Sequence, residues 1–72
     1  MKNMKTALNN QHRFRVELLV NTQAQPSETM LVKEVIAKGE KHATQLAISL
    51  LRKENPTTTW VRIDPWYVEE IH

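Results

Sequence analysis

Residues 39–56, GEKHATQLAISLLRKENP, decide how the rest of the chain must be read. Ala43, Leu46, Ala47, Leu50 and Leu51 recur at i, i+3, i+4, i+7 and i+8, which gathers them on one stripe of an α-helix. The chain's one glycine, Gly39, stands before this helix as its N-cap, and Pro56 ends it after Asn55. Glu40 lies at the positive end of the helix dipole, and Arg52 and Lys53 at the negative end, where each charge is favourable. A helix with a single apolar stripe needs one apolar surface to cover, and the flanking segments read as the strands that supply it.

Before the helix, the segment from Arg13 alternates strictly. Phe14, Val16, Leu18 and Val20 point one way, while Arg13, Arg15, Glu17 and Leu19 point the other. Residues 21–29, NTQAQPSET, are polar, contain Pro26 and read as a hairpin connection. Residues 30–38, MLVKEVIAK, form the second strand with an imperfect phase. Met30 and Val32 share a face, Glu34 falls on it and Val35 does not, so a bulge near Lys33–Glu34 is expected. After the helix, TTTWVRID alternates again, with Val61 and Ile63 expected towards the helix and Trp60, Arg62 and Asp64 away from it. Pro65 is expected to interrupt the ladder, leaving WYVEEIH as a short final strand or an edge extension.

The order is therefore β-β-α-β, an α+β fold with a small antiparallel sheet of three to four strands and one helix packed on one face. Residues 1–11 lack periodicity and read as a flexible basic arm, and residues 12–72 as a single α+β domain. At 72 residues the chain is near the lower size limit for a self-supporting core. It has no cysteine, so neither disulfides nor thiolate zinc sites are available, and a reducing cytoplasm is its expected location. No apolar run has the length of a signal peptide or a membrane span, so no membrane association is expected.

Composition argues against catalysis. The serines are Ser27 in the polar connection and Ser49 in the helix, and neither has a histidine in a recognisable catalytic context. His12, His42 and His72 are dispersed without metal-ligand spacing, and His42 is expected to meet solvent on the helix flank. Glu69 and Glu70 are adjacent and would point to opposite faces of a strand. A single glycine cannot form a phosphate-cradling loop. The expectation is a protein that is not an enzyme, with no cofactor and no metal.

Two surfaces remain as candidates. The outward side of the helix carries Lys41, Gln45 and Arg52, flanked by His42 and Lys53, with Lys38 just before it. With the basic arm and Arg13 and Arg15 this side could follow a phosphate backbone, or it could simply be solvated. The second candidate is the uncovered sheet face, where Trp60 and Arg62 would stand with Arg13, Arg15 and Leu19. Tryptophan beside arginine is the composition of a protein-binding hot spot. Trp66 and Tyr67 either fold back to cap an open core edge or remain outside.

The strand HRFRVELLV, the passage VIAKGEKHATQLAISLL and the returning strand TTTWVRI together resemble the small single-helix α+β proteins that phages and mobile elements use against host defence, those of the anti-CRISPR type among them. The resemblance lies in the pattern and transfers no functional residue. It implies a non-enzymatic inhibitor that occludes a host protein or protein complex, such as a CRISPR effector. The partner-binding residues expected on that reading are Trp60, Arg62, Arg13 and Arg15. The alternative is a nucleic-acid-binding regulator using Lys38, Lys41, Arg52 and Lys53. Since one helix covers one sheet face, a weak homodimer through the open face or its edge is also expected, with a monomer as the alternative.

Overall fold

A computed structural model of the protein describes residues 11–72. Strand β1 (His12–Thr22) leads through a short connection to β2 (Thr29–Ala37), then to helix α1 (Glu40–Glu54) and to β3 (Trp60–Ile71). Both outer strands pair antiparallel with β1, giving one three-stranded sheet in the order β2-β1-β3. The β-β-α-β arrangement with one helix is the one the helical stripe and the alternating β1 pattern require. The flexible arm expected at 1–11 falls outside the described residues except for Gln11, which is exposed ahead of β1.

The core follows directly from two periodicities. Phe14, Val16, Leu18 and Val20 of β1 meet Ala43, Ala47 and Leu51 of α1, and Ala37 at the end of β2 completes the buried set. Two of the three buried helix positions are alanine, so the helix backbone can approach the sheet closely. Leu46, Ile48, Leu31, Val35, Ile63, Val68 and Trp60 pack around this centre while staying half-buried. No polar or charged residue is buried among the described residues.

The helix has no side-chain cap at its start, and both its ends are tied to their neighbours by local hydrogen bonds. The carbonyl of Gly39, in extended backbone, accepts from the Ala43 N–H at 2.9 Å. The Lys38 backbone N–H donates to His42 Nδ1 at 3.1 Å, tying the end of β2 to the first helical turn. That bond leaves His42 half-buried rather than free in solvent. At the other end the Asn55 N–H donates to the Leu51 carbonyl at 3.1 Å, and Asn55 Nδ2 donates to the same carbonyl at 2.9 Å. With a further bond from the Asn55 N–H to the Arg52 carbonyl at 3.3 Å, they occupy carbonyls that the last turn would otherwise leave unpaired.

The outer strands differ from the sequence expectation in opposite ways. β2 has no bulge: its register on β1 runs unbroken from Val20↔Thr29 to His12↔Ala37. Leu31, Lys33, Val35 and Ala37 therefore lie on the covered side, and Met30, Val32, Glu34 and Ile36 on the open side. A lysine is tolerated beneath the helix because its aliphatic stem packs while its ammonium reaches Glu54 at the helix end. β3, by contrast, carries two register shifts. Val61 is the extra residue between Trp60, opposite Thr22, and Arg62, opposite Asn21. Trp66 is the extra residue between Pro65, opposite Leu18, and Tyr67, opposite Glu17. Pro65 consequently does not end the strand. β3 is an edge, and a proline at a bulged edge costs little of the ladder.

The first of these bulges reverses a side-chain assignment. Strict alternation would separate Trp60 from Ile63, but the extra Val61 brings both to the helix side. Trp60 packs against the core, and Val61, expected under the helix, is 60% exposed. Trp60 is thus not a residue of the uncovered sheet face.

Candidate interaction surfaces

The open face is assembled row by row from the three registers. Ile36, Arg13 and Ile71 lie side by side, then Glu34, Arg15 and Glu69, then Val32, Glu17 and Tyr67, then Met30, Leu19 and Asp64, with Asn21 and Arg62 beyond. The sheet therefore places Arg13, Arg15 and Arg62 on one face, as the alternation of β1 and β3 expected, but with Arg62 at the opposite end from the other two and without Trp60. The large apolar groups exposed on this face are Met30, Val32, Ile36 and Tyr67, at 41–54% of their full accessibility. The exposed tryptophan of the chain is Trp66, at 63%, displaced outward at the β3 bulge rather than folded onto the core.

Electrostatically the face is mixed. Arg15 Nη1 donates to Glu17 Oε2 at 2.7 Å, and Arg62 donates to Glu28 and, at 3.2 Å, to Asp64 Oδ2. Each of these pairs is solvent-accessible and contributes little to stability. Their effect is to hold guanidinium groups in place between apolar side chains. The Tyr67 hydroxyl donates to Glu69 Oε1 at 3.2 Å, and that bond together with the carboxylate's charge raises the phenol above its ordinary pKa. A face of this kind suits a partner with both apolar and mixed-charge character.

The outer side of α1 is different in kind. Lys38, Lys41, Gln45, Arg52 and Lys53 are all exposed. Among the described residues none of these four cations is paired with a carboxylate. Lys41, Gln45 and Arg52 lie within about 40° of one another around the helix at 100° per residue. They span roughly 16 Å along its axis at 1.5 Å per residue.

A third feature lies at the end of the sheet, where the β1–β2 connection faces residues 57–59. The connection is fixed by Thr22 N–H donating to the Gln25 carbonyl at 3.1 Å and by Gln25 N–H returning to Thr22 Oγ1 at 3.0 Å. Between these segments is a half-open cavity of about 740 Å³ walled by Val20, Ala24, Leu31, Trp60 and uncharged polar residues. Trp60 Nε1 and Asn21 Oδ1 are occluded at this end without a hydrogen-bond partner. Orphaned groups of this type cost about 1–3 kcal/mol each, so this is a weak end of the domain.

Among the described residues no cluster of three or more His, Cys, Asp or Glu is placed to hold a metal ion, and no helix is long and apolar enough to cross a membrane. No family model, no curated protein and no solved structure matches the chain.

Alternation alone does not say which of the two apolar sides of β2 meets the helix, so Met30, Val32 and Ile36 are not recognisable as surface residues from the sequence. Their even numbering, shared with the apolar positions of β1, carried no warning. What decides the matter is that antiparallel partners sum to a constant, here Val20 with Thr29, which sets odd β2 positions opposite even β1 positions. That sum depends on the length of the connection. For Tyr67, which the sequence leaves either folded back or outside, the register shift at Trp66 settles the open side.

Proposed function

We propose that this chain is a small non-enzymatic protein-binding module that acts by covering a surface of a larger partner. The observation that carries this reading is the open sheet face, where exposed Met30, Val32, Ile36 and Tyr67 alternate with held arginines and carboxylates. Interfaces of moderate size combine an aromatic and methionine-containing centre with arginine and a polar rim. The resemblance in pattern to phage anti-defence proteins adds a partner class, a host defence complex such as a CRISPR effector in the cytoplasm, inhibited by occlusion. Arg13, Arg15 and Arg62 retain the role expected of them. Trp60 does not, and its place as aromatic anchor passes to Tyr67 on the face and to Trp66 beside it.

The test is a binding assay of the immobilised chain against purified defence effectors, repeated with Val32→Glu and Tyr67→Ala. Retention of an effector by the wild type, with loss of at least about 2 kcal/mol in the variants, is the expected result for hot-spot positions. Equal retention by folded variants would place the binding surface elsewhere.

A second reading is favoured by one observation, the unpaired cations of the outer helix. Lys38, Lys41, Arg52 and Lys53 could neutralise phosphates of a nucleic acid, whereas the sheet-face arginines Arg15 and Arg62 are already engaged by carboxylates. A gel shift at low salt separates the two readings. Retention of duplex DNA or RNA that falls steeply with added salt and disappears in Lys41→Glu with Arg52→Glu would establish the second reading.

A further inference from the structure

The sheet has two edges, and they are built differently. β3 presents an edge interrupted by Pro65 and by two bulges, features that break the row of outward N–H and C=O groups. β2 presents nine consecutive residues, Thr29–Ala37, with no proline, no glycine and no shift of register against β1. Among the described residues nothing pairs with its outer side. A long regular edge of this kind is a template for another strand.

We infer that the β2 edge is the site at which two copies of this chain join, antiparallel about a two-fold axis normal to the sheet at Lys33. Lys33 is the centre of β2, so this register lets all nine residues overlap. In it Met30 stands opposite the second copy's Ile36 on the open face, and Leu31 opposite the second copy's Val35 on the covered face. Apolar groups thus meet apolar groups on both sides of the sheet at these pairs, while Val32 stands opposite the second copy's Glu34. The two central lysines would repel one another in isolation, but each already holds its own Glu54, and the axis sets the two pairs beside each other as an alternating four-charge cluster. The blunted β3 edge explains why the assembly closes. Growth through β2 stops at a six-stranded sheet whose two ends are both β3, where a chain with two open edges would continue as a filament.

The joined sheet also changes the surface offered to a partner. Met30, Val32 and Ile36 sit at the rim of the open face in one copy but at the middle of it in two, where apolar groups of both copies flank the two Glu34 side chains. This inference does not depend on the protein-binding reading, and its experiment does not involve a partner.

The test is sedimentation equilibrium of the full chain from about 10 μM to about 1 mM, the range in which contacts of modest affinity appear. The expected result is a reversible shift from 8.4 kDa, the chain mass, to twice that value. Two double variants fix the edge and the register, using positions whose exposure spares the fold. Met30→Glu with Ile36→Glu sets like charges opposite across the axis and is expected to weaken association at least about tenfold. Met30→Lys with Ile36→Glu sets opposite charges there and is expected to keep it. Circular dichroism of both variants checks the fold. A chain that remains at 8.4 kDa throughout this range overturns the inference. A dimer weakened equally by both double variants, or by neither, overturns the β2 register. Isotope-filtered contacts between Met30 and Ile36 of different copies would confirm it directly.

Discussion

The covered and open faces of the sheet share all three strands, and they differ most on the central one. On the covered face β1 is apolar without interruption, Phe14, Val16, Leu18 and Val20, each at most 4% exposed. On the open face the same strand carries Arg13, Arg15 and Glu17 before reaching Leu19. The outer strands are far less decisive. β2 has Leu31 and Val35 on one side and Met30, Val32 and Ile36 on the other, with a lysine on the covered side. The central strand therefore chooses the core, and the edge strands accept the face they are given. An edge strand lies half outside any helix that covers the sheet, so apolar groups on its two sides differ little in what they bury.

The sharpest way to break this contrast is to truncate on each side of it. Leu18→Ala removes a fully buried side chain and is expected to cost about 2–5 kcal/mol, a large share of the stability of so small a domain. Val32→Ala on the open face is expected to stay within about 0.5 kcal/mol. Urea denaturation of both proteins reads the difference, and comparable losses would show that the open face is also packed.

The two tryptophans offer the next largest effect. Trp60→Ala is expected to destabilise by roughly 2 kcal/mol, less than a fully buried aromatic because it is half-buried. Trp66→Ala is expected to leave stability within about 0.5 kcal/mol. Thermal melts of the pair locate the bulges independently, because a β3 without the shift at Val61 would reverse the position of Trp60.

A smaller effect sharpens the account of β2. Lys33→Met keeps the aliphatic stem under the helix and removes the ion pair to Glu54, and the expected change is within about 1 kcal/mol of zero. A loss well above that would mean that the pair, and not the stem, holds the helix end to the strand.

The smallest effect is a titration. Tyr67 donates to the Glu69 carboxylate, which raises its phenol pKa in the folded chain. A raised folded pKa adds stability that is fully present below the unfolded value near 10 and is lost as pH rises through the folded one. Ultraviolet titration should find the Tyr67 midpoint above that of free tyrosine, and Glu69→Gln should lower it. An unchanged midpoint in the variant would remove the hydrogen bond from the open face.

What the sequence made legible was whatever is settled within one element. The helix stripe, Gly39 and Asn55 at its ends, and the phase of β1 all depend on neighbours a few residues away. The phase of β2 depends on how many residues the β1–β2 connection spends before Thr29, and the phase of β3 on two single-residue insertions at Val61 and Trp66. Those are properties of pairs of strands. The arginines of the open face were found because Arg13 and Arg15 lie on β1 and Arg62 keeps its alternate position. Trp60 was misplaced because one inserted residue between it and Arg62 turns the strand over.

The position of β1 in the middle of the sheet also sets a timetable for the chain. Its first partner arrives soon, since Val20 pairs with Thr29 across a short connection, and a hairpin of that kind closes in microseconds. Its second partner arrives last, since Arg13 pairs with Ile71 near the opposite terminus. During synthesis the strand that carries half of the buried core, Phe14, Val16, Leu18 and Val20, must wait with one edge bare until the 12-residue β3 has been made. A chain interrupted anywhere before Trp60 keeps that edge bare permanently, and fragments of this length should aggregate through HRFRVELLV even where the whole protein does not.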